Sequence, residues 1–82
     1  MRDTVTIEEI DKWLDRIEAI VDKIEVFDTK GEEMLTNMNA YISDCKHFKE
    51  NGDLVKSFEA VIWSWAILEL CTELGIFKQI VE

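Results

Sequence analysis

The side chains that could perform chemistry in this sequence are one histidine, two cysteines and a regular series of acidic residues. His47 stands alone, and one histidine cannot supply the set of ligands that a zinc site requires. Cys45 and Cys71 belong to no CxxC motif, and no histidine is placed to activate either thiol as a nucleophile. The sequence also lacks a glycine-rich phosphate loop and a nucleophile elbow. We therefore expect a non-enzymatic protein with no metal site and no cofactor.

The two cysteines are predicted to remain unpaired. If the chain reverses at Gly52, Cys45 lies level with residue 59 or 60 of the returning segment. At about 1.5 Å per helical residue, Cys71 is then roughly 15–18 Å further along, whereas a disulfide requires α-carbons within about 7 Å. Two buried thiols and no export signal at the N-terminus are typical of a cytoplasmic protein.

An acidic series runs along the first predicted helix at alternating steps of three and four residues, which places its members in one stripe. The members of this acidic stripe are Glu8, Asp11, Asp15, Glu18, Asp22 and Glu25. Like charges at these spacings destabilise a helix by about a few tenths of a kcal/mol per pair, and no base on the stripe compensates them. The stripe is interpreted either as a solvated face or as a docking face for a basic partner or cations. Carboxylate metal sites in bundles instead need inward-facing acids, usually with Glu-x-x-His pairs.

The overall charge excludes some partners. The chain carries 18 acidic and 9 basic residues, for a formal net charge of −9, and its bases are scattered. Nucleic-acid binding depends on clustered Lys and Arg that neutralise phosphates, so no nucleic-acid partner is expected. The apolar run at residues 61–68 is far shorter than the roughly 20 residues of a membrane span, so no membrane partner is expected.

Hydrophobic periodicity and glycine positions predict an all-α fold. Apolar residues recur at steps of three and four in three segments, which Gly31, Gly52 and Gly75 punctuate. The predicted helices span residues 7–26, 32–51 and 54–74. Thr6 and Glu9 form a capping box for the first helix, and the short joint at Gly52 makes the second and third helices antiparallel neighbours. The sequence therefore predicts one domain over residues 1–82, an up-and-down three-helix bundle, with at most one further helical turn after Gly75.

The third helix has two apolar faces, because Trp63 and Trp65 are two residues apart and so point about 200° away from each other. The first face holds Leu54, Phe58, Val61, Trp65 and Leu68, and the second face holds Trp63, Ile67, Leu70 and Leu74. A seam of small residues lies between them, at Ser57, Ala60, Ser64 and Cys71. Two interpretations stay open. Either each face packs on one of the other helices with the seam at the bundle axis, or the second face is partly exposed and docks another chain, most commonly as a homodimer.

Residues 51–77, NGDLVKSFEAVIWSWAILELCTELGIF, resemble a family of short, mostly archaeal helical proteins filed as domain of unknown function 357. The resemblance rests on Gly52–Asp53, Val55, Phe58–Val61, Leu68, Leu74–Gly75 and Phe77, and upstream on Tyr41, Asp44 and Phe48. It is best over residues 41–77, and it implies an up-and-down three-helix bundle without an established activity. The chain departs from the family pattern in the middle of the third helix, where members carry polar or small residues, including a histidine. No catalytic residue is therefore carried over.

These observations favour a cytoplasmic interaction or assembly module. It would dock through the Trp63 face of the third helix, with the acidic stripe steering a basic partner, and its partner is either another protein or a second copy of the chain. The main alternative is a bundle that binds a small ligand or a metal, which a pocket lined by Tyr41, Trp63 or Trp65 with an inward polar group would support. A third hypothesis, a helical partner of a nucleotidyltransferase-like enzyme, rests on a similar Gly-Asp joint before a long apolar helix.

Overall fold

Three helices and a small two-stranded sheet make up the computed structural model, which describes residues 5–80. The elements in chain order are α1 (Ile7–Val21), β1 (Ile24–Val26), α2 (Thr29–Glu50), α3 (Leu54–Glu73) and β2 (Phe77–Gln79). The predicted all-α class and three-helix bundle are confirmed, and the bundle measures 39 × 23 × 21 Å. Within the described range, no helix combines the length and apolarity needed to cross a membrane.

The first helix is shorter than its periodicity predicts. It begins at Ile7, where the Thr6 hydroxyl accepts the N–H of Glu9 at 3.2 Å, but it ends at Val21 instead of residue 26. Residues 24–26 form β1, which pairs antiparallel with β2. Phe77–Gln79 forms no further helical turn, because it is the strand that pairs with β1. The alternation of residues 24–26 fits a strand as well as the helical stripe, and the pairing with a distant segment decides between them.

The second helix starts at residue 29, earlier than the predicted residue 32. Asp28 is its N-cap, and the Asp28 carboxylate accepts the N–H of Gly31 at 2.9 Å. Gly31 is buried against β1 and the chain that follows α3. A Cβ atom at this position would lie 3.0 Å from the Cβ of Val26 and 3.3 Å from the carbonyl oxygen of Ile76. A residue without a side chain therefore lets these segments approach the first turn of α2 closely.

The last two helices end at glycines with left-handed backbone conformations. Gly52 and Gly75 have φ angles of 79° and 75°. The residue after each glycine donates its N–H to a carbonyl of the last helical turn, at 2.9 Å for Asp53 and 2.8 Å for Ile76. These are the bonds of the Schellman motif. The Asp53 carboxylate also accepts an N–H in the first turn of α3, so one residue ends α2 and begins α3.

The seam of small residues on α3 lies at the bundle axis. Its members Ser57, Ala60, Ser64 and Cys71 are all buried. The hydroxyl of Ser57 donates to the carbonyl of Cys45 at 2.7 Å, and that of Ser64 donates to the carbonyl of Val61 at 2.6 Å. Small, internally satisfied side chains allow α2 and α3 to pack closely. Cys45 and Cys71 are free buried thiols, which agrees with the predicted absence of a disulfide.

Candidate interaction surface

One flank of α3 carries a row of large apolar side chains. Trp63, Leu70 and Leu74 are 58%, 57% and 71% exposed, and Ile67 between them is half-buried. Steps of three and four residues align these side chains along the helix. They are the second apolar face of the sequence prediction, and within residues 5–80 no other element covers them fully. We call these four residues the apolar row.

The two tryptophans of α3 lie on different flanks, as their spacing predicts. Trp65 is half-buried, and its indole N–H donates to the carbonyl of Trp13 at 3.1 Å. The two rings meet edge to face, with centroids 5.8 Å apart, so Trp65 joins α3 to α1. Trp63 instead stacks on Tyr41 of α2, with centroids 6.2 Å apart and planes inclined by 21°. We call the Tyr41–Trp63 pair the aromatic shelf.

The aromatic shelf separates two grooves between α2 and α3. The first has a volume of about 490 Å³ and reaches the apolar row at Trp63 and Ile67; besides the shelf it is lined by Asn37, Ala40, Asp44 and Ile67. The second has a volume of about 290 Å³ and leads toward the α2–α3 joint; besides the shelf it is lined by Asp44, Phe48, Lys56, Glu59 and Ala60. Both grooves are open to solvent and neither is an enclosed pocket. We call the apolar row, the shelf and these grooves together the open face.

Charged groups lie at the rim of the open face. Asp44 and Glu59 are exposed, and within residues 5–80 neither carboxylate has an ion-pair or hydrogen-bond partner. The ammonium nitrogen of Lys56 lies 5.7 Å from the centroid of the Phe48 ring and 3.9 Å from the carboxylate of Asp53. The rim therefore presents two unpaired negative charges beside aromatic rings.

The acidic stripe differs from its sequence prediction in two ways. Glu25 lies in β1 and Asp22 is the C-cap of α1, so the helical part of the stripe ends at Glu18. Two stripe residues also pair with lysines of α2, Glu18 with Lys46 at 2.6 Å and Asp11 with Lys49 at 2.5 Å. The hydrogen bond that the Lys49 ammonium donates to the Asp11 carboxylate is the main cause of the raised pKa of Lys49. The stripe residues that have no such partner within residues 5–80 are Glu8, Asp15, Asp22 and Glu25.

The one histidine and the two cysteines lie in different environments, because His47 is exposed whereas Cys45 and Cys71 are buried. His47 is exposed, with its Nε2 atom 3.1 Å from the side-chain nitrogen of Asn51. Burial raises the pKa of Cys45 and of Cys71, so both thiols stay protonated at neutral pH. Among residues 5–80, no group of three or more His, Cys, Asp and Glu side chains could hold a metal ion.

The sequence interpretation missed two arrangements. The Tyr41–Trp63 stack could have been found, because the two residues are equally distant from the turn at Gly52. The second is a patch on the α1 side of α3, where Trp13 and Ile62 help to line a groove of about 310 Å³. Cations cover the ring of Trp13, with Lys12 at 4.9 Å and Arg16 at 5.1 Å from the centroid. No local sequence pattern predicts that patch, because it depends on the packing of α1 against α3.

Comparison with known proteins places the chain among helical proteins without an assigned activity. A family model described as a protein of unknown function, DUF357, matches residues 7–77. Protein AF1782 from Archaeoglobus fulgidus, whose crystal structure carries the same family model, is 45% identical and superposes with a TM-score of 0.81. That match covers 89% of this chain and 91% of the other. No curated protein matches the chain. The resemblance noted in the sequence is confirmed, and it extends over the first helix as well.

Proposed function

The chain belongs to the DUF357 family of proteins of unknown function, and we propose that it is a non-enzymatic interaction module that docks a basic amphipathic helix of another protein. The docking surface is the open face between α2 and α3. The observation that carries the proposal is the exposed apolar row beside the aromatic shelf. An exposed apolar patch of several hundred Å² is often a functional binding surface.

The size of the apolar row suits the centre of a protein interface. At the exposures of Trp63, Leu70 and Leu74, the row leaves about 400 Å² uncovered, since a large aromatic side chain alone has about 150–250 Å². A standard interface covers about 800 Å² on each partner, with an apolar core and a polar rim. Burying the row contributes about 10 kcal/mol at about 25 cal/mol per Å², which offsets association costs of similar size.

The shape of the open face suits a helix. α2 and α3 are antiparallel neighbours, and the first groove runs along the line between them. A helix laid in such a groove contacts it through side chains at steps of three, four and seven residues. The apolar row has the same spacing on α3, so apolar side chains of the incoming helix can interleave with it.

The charge of the chain favours a basic partner over a second copy of itself. Each copy carries a net charge of −9, so two copies repel each other at long range. The rim carboxylates of Asp44 and Glu59 have no partner within residues 5–80. Lysine or arginine residues on the polar flank of an incoming helix would neutralise them.

The acidic stripe of α1 would assist at a distance. Lys46, which pairs with the stripe, and Asp44, at the rim of the open face, are two residues apart on α2. Residues two apart point about 200° away from each other, so the stripe and the open face lie on different flanks of α2. The stripe would therefore raise the rate of encounter with a basic partner without contacting it in the complex.

The test is calorimetric titration of a synthetic amphipathic helix made of leucine and lysine into the protein. Trp63→Ser/Leu70→Ser removes the centre of the open face and should weaken binding at least about tenfold, a change of about 1.4 kcal/mol. The matched control is Val55→Ser/Ile62→Ser, because Val55 and Ile62 are also exposed apolar residues of α3, at 57% and 44%, but lie on another flank. The control should bind like the wild type.

Two outcomes would overturn the proposal. Equal binding by the two double variants would mean that the leucine–lysine helix does not use the open face. Sedimentation of a dimer at micromolar concentration that Trp63→Ser/Leu70→Ser converts to a monomer would mean that a second copy occupies the open face. Far-UV circular dichroism of each variant verifies that the helices are intact.

A further inference from the structure

The end of the open face nearest the α2–α3 joint combines aromatic rings with carboxylates. From α2, Tyr41, Asp44 and Phe48 line the second groove at steps of three and four residues. From α3, Glu59 and Trp63 line the same groove, four residues apart. Such spacings place side chains on one flank of a helix, so both helices direct these groups into one groove of about 290 Å³. We call this groove the aromatic notch.

A cation of the chain itself already lies at one end of the aromatic notch. The ammonium of Lys56 is 5.7 Å from the centroid of the Phe48 ring, within the range of a cation–π contact. Its ion-pair partner is Asp53 of the joint, at 3.9 Å. Asp44 and Glu59 therefore remain unpaired within residues 5–80, beside the stacked rings of the aromatic shelf.

We propose that the aromatic notch is a binding site for an arginine side chain of the docked helix; the source of the arginine rests on the function proposed above. A guanidinium is planar, so it can stack on an aromatic ring while its N–H groups donate to carboxylates. The exposed ring of Trp63 supplies the stacking surface, and the carboxylates of Asp44 and Glu59 supply the acceptors. A lysine ammonium would gain the charge pairing but not the planar stacking, so the notch selects arginine over lysine.

The test uses capped arginine, N-acetyl-arginine methylamide, a probe small enough to enter the notch without a docked helix. Capped citrulline has the same shape without the charge and is the matched neutral probe. Two-dimensional NMR follows the tryptophan indole N–H signals of the full chain. We expect the Trp63 signal to shift saturably as capped arginine is added. Capped citrulline should bind with an affinity at least about tenfold lower. The Trp65 signal should stay in place, because its N–H is held by the Trp13 carbonyl.

A pair of variants separates the notch from general attraction to an acidic protein. Asp44→Asn/Glu59→Gln should lower the affinity for capped arginine by about tenfold. Glu32→Gln/Glu50→Gln removes the same charge from exposed positions on another flank of α2 and should change the affinity by less than about twofold. Equal shifts with the two probes, or equal weakening by the two variant pairs, would overturn the proposal.

Different results would overturn the proposed arginine site and the proposed docking function. If capped arginine binds as described and the leucine–lysine helix does not, the docking function is overturned and the notch is supported. If the helix binds the open face while capped arginine leaves the Trp63 signal unmoved, the notch is overturned and the docking function is supported.

Discussion

Replacing Gly31 by alanine tests the close approach of β1 to the first turn of α2. Helix propensity alone favours the change, because alanine is more favourable than glycine by about 1 kcal/mol in a helix interior. The structure indicates the opposite sign. The new Cβ atom would lie 3.0 Å from the Cβ of Val26 and 3.3 Å from the carbonyl oxygen of Ile76. Both atoms are attached to or part of the backbone, so a segment of chain has to move.

The expected magnitude follows from these opposing effects. Overfilling a packed site costs about 1–3 kcal/mol, whereas the gain in helix propensity is at most about 1 kcal/mol and is smaller in the first turn. A shift of β1 also strains its pairing with β2, in which Val26 lies opposite Phe77. We therefore expect the Gly31→Ala variant to lose about 1–2 kcal/mol of the free energy of unfolding.

Urea unfolding followed by circular dichroism measures this difference. With a slope of about 1 kcal/mol per molar urea for a chain of this size, the Gly31→Ala midpoint should fall by about 1–2 M. Asn39→Ala is the matched control, because Asn39 is exposed on α2 and the change alters helix propensity without a new contact. Its midpoint should rise by about 0.5 M. A Gly31→Ala midpoint equal to or above that of the wild type would refute the crowding at Gly31.

Three further outcomes concern ionisable groups. Burial raises the pKa of Cys45 and Cys71, so the folded chain holds these two protons to a higher pH than the unfolded chain does. The stability that this difference contributes is fully present below the unfolded-state thiol pKa and should fall as the pH rises above about 9. Urea midpoints measured from about pH 8 to 10 check this, and a constant midpoint would contradict it. The pKa of Lys49 is raised chiefly by its hydrogen bond to Asp11. The ion pair therefore contributes its full stabilisation of the folded chain below the ordinary lysine pKa, and this contribution is lost as the pH rises through the raised pKa. Both side chains are partly exposed, so the ion pair contributes little to stability. Between neutral and alkaline pH, the melting temperature of Asp11→Asn should therefore fall slightly less than that of the wild type. A larger fall in the variant would contradict the pairing. The same two thiols should react with an aromatic disulfide reagent only as the chain unfolds, and rapid labelling of the native protein would show that they are accessible.

The third helix shows how much of this fold a single sequence predicts. Its predicted range, residues 54–74, agrees with Leu54–Glu73, because an N-cap aspartate and a left-handed glycine mark its ends locally. The seam at Ser57 and Ser64 was also placed correctly, since a helical wheel depends only on spacing. Local chemistry and helical periodicity determine these features.

The end of the first helix shows the limit of prediction from local patterns. Residues 22–26 continue the apolar and acidic spacing of α1, yet Ile24–Val26 is a strand. Its partner, Phe77–Gln79, lies near the other end of the chain, and a short strand pair gives no periodic signal of its own. Pairing between distant segments overrides a local helical preference here, and only the folded arrangement reveals it.

The candidate site was predictable in part for the same reasons. The apolar row on α3 follows from spacing, and the structure leaves Trp63, Leu70 and Leu74 exposed. The partners that neutralise the acidic stripe were not visible, because Lys46 and Lys49 come from another helix and their reach depends on how α1 crosses α2. Docking of a partner, the cytoplasmic location and the absence of enzymatic activity stay predictions.

The pairing of β1 with β2 has a consequence for how the protein is made. Each helix can form soon after it leaves the ribosome, because helical contacts are local in sequence. The sheet cannot form until Gln79 has emerged, since β2 is its second strand. During synthesis, β1 and the first turn of α2 therefore stay uncovered until β2 has emerged. A nascent chain stalled before β2 should therefore be more sensitive to protease around residues 22–28 than a chain in which Gln79 has emerged.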